Sequence, residues 1–268
     1  MIDFLFAPIL SLFSPRFYQN VLKSSLWKGF LYLAYLSLSG ALTFLILISL
    51  KWLPTVENFV DWFARELPTM VFENGSLSSS VQQPYHMTHP KFGKILILDT
   101  TKEKADPSEL KNAFLYVTKR IIYVSNPLRG ETRIFDLSSP KNQRAIAAGS
   151  SQITGELVKF FYKKIKPIFL VTLFSFVFLF IFLWKLVAAI LYSVIAVVLN
   201  QFREEKFSYE KLLNVTIFAM TAISLLQFLN ALVTGIQAPV PFWVALVLTT
   251  SYLGLAILVV SLPEKTLD

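Results

Sequence analysis

The stretch that decides the fold is LLNVTIFAMTAISLLQFLNALVTGIQAPVPFWVALVLTTSYLGLAILVVSLP, residues 212–263, which contains no Asp, Glu, Lys or Arg. It is too long and too apolar for one core helix of a soluble domain. The segment QAPVP, residues 237–241, places two prolines in its middle, where they favour a turn. The stretch therefore predicts two membrane-spanning helices, at 212–235 and 242–262, joined by a very short turn.

The composition of the whole chain also favours a membrane protein. Of its 268 residues, 54% are hydrophobic and 16% are charged, against about 25% charged residues in a typical soluble domain. The net charge is +8, which we interpret as basic residues at anionic lipid headgroups rather than as a nucleic-acid surface. The chain has no cysteine, which excludes disulfides, thiolate metal sites and cysteine nucleophiles.

Two further apolar segments precede residue 212. The first, 29–50, is uncharged and bracketed by Trp27 and Trp52, as expected for a span with interfacial aromatic residues. The second, 167–202, would be about 50 Å long as one helix and carries a single internal charge, Lys185. We expect one long helix whose second half leaves the membrane or lies along it, with Lys185 at an interface; a break near Lys185 would give five spans instead of four.

A polar insert, residues 51–166, separates the first two spans and reads as a small α+β domain. Residues 55–66 have helical spacing of apolar side chains. Ser78–Ser80 reads as a polar linker, 84–90 as an extended loop and 138–161 as helix. The predicted strands of a mostly antiparallel sheet are 69–73, 94–98, 113–118, 120–124 and 132–137, with a hairpin turn at Asn74-Gly75.

The basic residues near the span ends predict the orientation. Arg16, Lys23 and Lys28 precede the first span and are expected to be interfacial on the cytoplasmic side. The expected fold class is thus an α-helical polytopic membrane protein with four transmembrane helices (five possible) and an extracytoplasmic α+β domain between the first and second spans. We expect it to be a multi-pass protein of the cytoplasmic membrane. The cytoplasmic parts would be residues 1–28, 203–211 and 263–268.

Chemical candidates are few, and we expect neither a catalytic nor a metal site and no cofactor. Asp99 ends the strand-like ILILDTT, a pattern shared with aspartic proteases, but the glycine that those enzymes place after the threonine is Thr101 here. We therefore expect Asp99 to cap a turn. His86 and His89 are the only histidines and would need a third ligand to hold a metal. Tyr85, His86, His89 and Asp99 are together the best candidates for a surface that binds a ligand or partner.

Within the predicted spans, polar side chains are more informative than charged ones. Gln227 and Asn230 lie three residues apart on the third span and are candidates for hydrogen bonds between helices, assisted by Asn214 and Thr216. The predicted spans hold no charged residue other than Lys185, which argues against an ion-coupled transporter.

Several ordered segments resemble a known family. They are Ser14–Tyr18 (SPRFY), Leu67–Gly75 (LPTMVFENG) leading to Gln83–Tyr85 (QPY), and Leu98–Thr101 (LDTT). Together they look like the bacterial membrane family called domain of unknown function 1189, some members of which are labelled maltodextrin-utilization proteins. The segment Phe207–Leu213 (FSYEKLL) resembles the corresponding loop of the Yip-like membrane superfamily. The resemblance implies a cytoplasmic N-terminus, several spans and an extracytoplasmic domain, and it implies no particular chemistry.

The expected function is that of a non-enzymatic scaffold or binding protein that presents its extracytoplasmic domain to an envelope partner or ligand. The expected partners are the lipid bilayer and other membrane or envelope proteins, with a homo-oligomer as a further option and no nucleic acid. An accessory subunit of a transport system, for example for sugars, is the alternative. A membrane-anchored hydrolase that uses Asp99 is the third hypothesis.

Overall fold

The computed structural model describes residues 2–106, 109, 113–126, 131–139, 152–234 and 240–261. Most of the predicted turn at 237–241 and the predicted tail at 263–268 lie outside these residues. The chain divides into two compact units, each described by itself below. Unit 1 comprises Met1–Leu53 and Ile168–Asp268, and unit 2 comprises Pro54–Pro167.

Unit 1 is helical throughout its described part. Its helices are α1 (Ile2–Phe13), α2 (Pro15–Lys23), α3 (Leu26–Leu47), the part of α5 (Gly155–Asn200) that begins at Ile168, α6 (Tyr209–Ala219), α7 (Thr221–Thr234) and α8 (Phe242–Ser261). Helix α3 continues through a π-helical turn, Ile48–Trp52, into α4 (Leu53–Glu66). Within the described residues, three helical stretches are long and apolar enough to cross a membrane: Leu26–Glu66, Gly155–Asn200 and Tyr209–Thr234. A shorter apolar helix covers Phe242–Ile257.

The core of unit 1 forms around α6. Residues 212–224 are all buried, and α6 is packed on both α2 and α3: the ring of Phe218 stacks on Tyr32 at a centroid distance of 4.3 Å and meets Phe17 edge-on at 5.4 Å. The half of α5 after Lys185 contributes Ala189, Tyr192 and Ala196 to this core. Helix α5 continues unbroken through Trp184 and Lys185, so the turn that a fifth span would need there is absent.

Unit 2 contains two sheets rather than the single sheet that the sequence predicts. The first has the order β2-β1-β8 and the second the order β3-β4-β5-β6-β7. Their strands are β1 (Met70–Glu73), β2 (Ser76–Ser79), β3 (Tyr85–His89), β4 (Gly93–Asp99), β5 (Leu115–Thr118), β6 (Ile121–Asn126), β7 (Glu131–Asp136) and β8 (Gln152–Ile153). All pairings are antiparallel except β4 with β5, which is parallel.

Three local predictions for unit 2 are wrong. Strand β2 occupies the predicted polar linker, because Asn74 and Gly75 both adopt positive φ and so close a tight hairpin back onto β1. Strand β3 occupies the predicted loop, because Pro84 and Pro90 flank the strand instead of interrupting it. Of the helix expected over 138–161, the part from Gly155 onward is helical, whereas residues 138–139 form a turn and Gln152–Ile153 form β8. Residues 140–151 of that prediction lie outside the described part of the chain.

Helix α4 and the first turns of α5 pack together within unit 2. A side-chain Cβ at Gly155 would collide with the main-chain oxygen of Ala64, so the two backbones approach as closely as glycine permits. Farther along the same pair, Lys159 lies 3.1 Å from Asp61, and Lys166 donates to Glu57. The glycine and the two ion pairs together fix the register of α4 against α5.

Candidate functional site

Four rings form a partly exposed aromatic surface on unit 2, composed of Phe59, Trp62, His89 and Phe92. Trp62 meets His89 edge-on at a centroid distance of 4.4 Å, Phe92 lies 4.8 Å from His89, and Phe59 lies 5.9 Å from Phe92. Phe92 is 53% exposed and the other three are half-buried. Aromatic residues that are exposed together in this way are typical of the centres of protein interfaces.

The local sequence explains why these rings meet. Phe59 and Trp62 are three residues apart on α4, so they share one helix face. His89 ends β3, and Phe92 lies in the turn that leads to β4. The Nδ1 atom of His89 accepts hydrogen bonds from the backbone N–H groups of Lys91 and Phe92, at 3.0 and 3.3 Å. These bonds occupy the Nδ1 lone pair and orient the ring toward α4.

The structure separates the four candidates for a partner surface. His86 is exposed on β3, and the hydroxyl of Tyr85 donates to the backbone oxygen of Glu66 at 3.0 Å. Tyr85 pairs with Leu98 at one end of the β3–β4 hairpin, whereas His89 pairs with Gly93 at the other end. Asp99 is six residues beyond Gly93 on β4 and therefore lies about 17–20 Å along the strand direction from His89. Of the four, His89 alone belongs to the aromatic surface.

Asp99 occupies a turn after β4, as expected for a capping residue. Its Oδ1 accepts hydrogen bonds from the amide and the hydroxyl of Thr101, at 3.2 and 2.5 Å. The carboxylate is buried, and Lys102 Nζ lies 3.9 Å from its Oδ2. A second carboxylate placed to share a proton with Asp99, as a protease pair would require, does not occur among its described contacts.

Lys102 is the centre of a charged network beside this turn. Its Nζ donates to both carboxylate oxygens of Glu109, at 2.9 and 3.2 Å, and the Tyr116 hydroxyl donates to Glu109 at 2.8 Å. The hydrogen bond from Lys102, followed by the one from Tyr116, holds the pKa of Glu109 below its usual range. Burial and the bond to Glu109 raise the pKa of Tyr116. Every charged group in this network has a partner, so its role in the structure is to anchor the loop.

No group of three His, Asp or Glu side chains within the described residues could hold a metal ion. His86 and His89 do not converge, because His89 turns into the aromatic surface while His86 is exposed.

Unit 1 contains a buried polar site around Lys185. Lys185, predicted to lie at an interface, is only 5% exposed. Its Nζ donates to Ser224 Oγ at 2.6 Å and lies 5.8 Å from the centroid of the Phe228 ring. The structure shows no ion pair between Lys185 and any described acidic side chain. The missed signal was the spacing of Ser224 and Phe228, four residues apart on one face of α7.

The number of residues between Lys185 and the end of its helix shows that Lys185 lies far from that end. It is fifteen residues from Asn200, the end of α5, and Ser224 is fifteen residues from Tyr209, the start of α6. At 1.5 Å per residue, both positions are about 22 Å from those helix ends. The contact between Lys185 and Ser224 has the length expected of a nucleophile and its base, but Ser224 is fully buried. A substrate therefore cannot reach its hydroxyl in this structure.

A second set of polar contacts connects α2, α3, α6 and α7. The amide nitrogen of Asn214 donates to the backbone oxygen of Val21 and to Ser24 Oγ, both at 2.9 Å. The hydroxyls of Tyr32 and Thr221 are 2.7 Å apart. These bonds connect helices that are distant in sequence, as expected of polar groups in an apolar interior. Gln227, by contrast, is exposed, and Asn230 is half-buried with its backbone oxygen bonded to Thr234.

The basic residues predicted to be interfacial, Arg16, Lys23 and Lys28, are all exposed. Lys23 also lines an open cleft where α3 and α6 begin. The cleft is lined by Leu22, Lys23, Ser24, Ser25, Leu26, Ser208, Glu210 and Lys211.

The fold and these sites together define a class of protein: a mainly helical chain whose described residues include three helices long and apolar enough to cross a membrane, together with an α+β unit. The chain belongs to the family described as "Protein of unknown function (DUF1189)", which matches residues 7–257. The family predicted from the sequence is thereby confirmed. None of the curated proteins and none of the solved structures compared with the chain matches it.

Proposed function

We propose that this chain is a non-enzymatic integral membrane protein whose extracytoplasmic domain, unit 2, presents the aromatic surface to an envelope partner or ligand. The observation that carries the proposal is the half-exposed set of Phe59, Trp62, His89 and Phe92. A soluble domain gains stability by burying such rings, so a surface that keeps them partly in water is typical of an interface. Asp99, the candidate for catalysis, is instead engaged with Thr101.

A topology with four membrane spans fits this proposal best. They are α3, the part of α5 that lies in unit 1, the combined α6 and α7, and α8. An even number of crossings places the basic residues before α3 and those between α5 and α6 on the same, cytoplasmic side. Unit 2 then lies on the opposite side of the membrane.

Site-directed photo-crosslinking in native membranes tests the partner surface. A photoreactive residue replaces Lys91, which is exposed beside Phe92, and the yield of each crosslinked product is measured in the full-length chain. We expect Phe92→Ser to reduce a specific product at least tenfold, because the substitution removes the central exposed ring. The matched control is Phe114→Ser, another exposed phenylalanine of unit 2, which should leave the yield unchanged. Equal yields in both variants, or no product, would reject the proposed surface.

An accessory subunit of a transport system is the second candidate, and Lys185 favours it. A lysine about 22 Å from the helix ends would lie well inside a hydrocarbon layer about 30 Å thick, and ionisable residues at such depth often serve transport. This candidate predicts a permease that copurifies with the chain in mild detergent. Purification from native membranes without any stable permease would exclude it.

A further inference from the structure

Strand β7 (Glu131–Asp136) lies at the edge of the five-stranded sheet. Along its length it pairs with β6 in an unbroken antiparallel register, from Ile121 opposite Asp136 to Asn126 opposite Glu131. All six residues of β7 are exposed, so no residue that the structure describes covers either face of the sheet at this edge. Ile134 is 63% exposed and Phe135 is 46% exposed, and neighbouring residues of a strand point to opposite faces.

An edge with these properties is open to a further strand. Natural edge strands are usually short, bulged or protected by charge, because an unprotected edge pairs with other chains. In β7 the register with β6 shows no bulge, and apolar side chains occupy both faces of its centre. An added strand would cover Ile134 on one face and Phe135 on the other.

We infer that β7 pairs with β7 of a second copy of this chain, antiparallel about a two-fold axis through Ile134. In a symmetric antiparallel pair whose axis is perpendicular to the sheet, one residue lies opposite itself. With Ile134 on the axis, Arg133 lies opposite Phe135 and Thr132 lies opposite Asp136. No like charges face each other, and each arginine covers an exposed ring.

The neighbouring registers are less favourable. With Arg133 on the axis, two arginines would face each other, which is destabilising. With Phe135 on the axis, Ile134 would lie opposite Asp136. Among the registers centred on residues 133 to 135, the one with Ile134 on the axis is therefore the most favourable. No ion pair within the described part of the chain involves Arg133, so pairing does not need to break one.

The pairing is separate from the aromatic surface, since β7 and β3 are at opposite edges of the sheet. It rests on the proposed membrane location in one respect: a membrane holds all copies in the same orientation, which a two-fold axis along the membrane normal requires. Failure of this inference would leave the crosslinking result at Lys91 unaffected, so the two proposals can fail independently.

Disulfide crosslinking tests the register, because the chain contains no native cysteine. In the full-length protein in lipid nanodiscs or native membranes, Ile134→Cys places two thiols directly across the axis. Directly opposite Cα atoms are about 4.5–5.5 Å apart, within the usual disulfide range of about 4.4–6.8 Å. Phe135→Cys is the matched control, since its two copies would be diagonal neighbours about 7–8 Å apart.

We expect oxidation to give at least tenfold more crosslinked dimer with Ile134→Cys than with Phe135→Cys. Adding Arg133→Glu to Ile134→Cys should reduce the dimer at least tenfold, because every charge on the strand would then be negative. The circular dichroism spectrum shows whether each variant remains folded. Equal yields at the two positions would overturn the inferred register, and a folded Ile134→Cys chain that stays monomeric would overturn the pairing itself.

Discussion

Gly29 lies where α3 meets Asn214, and the contact leaves no room for a side chain. A Cβ at Gly29 would collide with Asn214 Oδ1, whereas a Cβ at Gly254 in α8 would meet nothing within 4 Å. We predict that Gly29→Ala destabilises unit 1 by about 1–3 kcal/mol through overpacking. Gly254→Ala should be neutral or stabilising by up to about 1 kcal/mol, as helix propensity dictates.

Thermal unfolding of the full-length protein in detergent measures both effects. The two substitutions are chemically identical and both lie in helices, so the difference between their melting temperatures isolates the contact with Asn214. Equal melting temperatures would show that Asn214 can move aside at no cost.

The turn after β4 allows Asp99 to be tested for a capping role. Asp99→Asn keeps a side-chain oxygen that can accept from the amide and hydroxyl of Thr101. Asp99→Ala removes the acceptor of both the amide and the hydroxyl of Thr101. We predict a loss of at most about 1 kcal/mol for asparagine and about 1–3 kcal/mol for alanine, measured as thermal unfolding. A larger loss with asparagine than with alanine would contradict the capping role.

At the scale of elements, the loop between β4 and β5 should make the stability of unit 2 depend on pH. The pKa of folded Glu109 is held below its ordinary value of 4.5, first by Lys102 and then by Tyr116. The stabilisation is therefore complete above the unfolded pKa and is lost as the pH falls through the folded pKa. We predict that Glu109→Gln lowers the melting temperature at pH 6 and that this effect becomes smaller as the pH falls below 4.5.

The Trp62 fluorescence of a variant that lacks the other tryptophans would report on unit 2 in this experiment. We expect the melting temperature of Tyr116→Phe at pH 6 to lie between those of wild type and Glu109→Gln. This variant keeps the ion pair between Glu109 and Lys102 and loses one hydrogen bond. A difference between wild type and Glu109→Gln that stays constant from pH 6 to pH 3 would show that the carboxylate does not stabilise the loop.

The sequence predicted the elements of unit 2 that have strong periodicity. Apolar runs located β1 and β4–β7, each within two residues of its observed ends, because buried strands require such runs. It failed for β2 and β3, where serine, histidine and threonine replace apolar residues. These strands form because a positive-φ turn at Asn74-Gly75 and pairing with β4 supply their hydrogen bonds. Such tertiary causes are not visible in a local pattern.

For the whole molecule, topology is the most direct prediction. Reporter fusions after Ser80, in unit 2, and after Phe207, between α5 and α6, should report opposite sides of the membrane. The physical reason is the distribution of basic residues around the spans. The measurement is the activity of a reporter that works on one side only, such as alkaline phosphatase. If both fusions report the same side, the number of crossings between them is even and the proposed topology is wrong.

The helices of unit 1 could be located from the sequence, but their packing could not. The charge-free run at 212–263 predicted two helices. The structure divides the first of them, 212–235, into α6 and α7 at Met220 and places α6 at the centre of the core. Nothing in hydropathy distinguishes this helix from α5, whose most apolar window is not buried at all. Lys185 shows the same limit: a single charge can be solvated at an interface or buried beside a serine, and only its neighbours decide between them.

The hydrogen bonds of the polar side chains in unit 1 bear on the order in which its helices can assemble. In α3, Ser37, Ser39 and Thr43 donate to the carbonyl oxygens of Leu33, Tyr35 and Ser39, each four residues earlier in the same helix. A hydroxyl bonded in this way is satisfied before any other helix packs against it. In the proposed membrane location these three hydroxyls would need no second helix, whereas the hydroxyl of Tyr32 has its partner, Thr221, on α7. The amide of Asn214 and the ammonium of Lys185 differ, because they donate to groups on other helices or in the loop before α3. Inserting α5 or α6 alone would therefore leave Lys185 or Asn214 without a hydrogen-bond partner in lipid. In the proposed membrane location, these two helices would be inserted most favourably after, or together with, the helices that supply their partners.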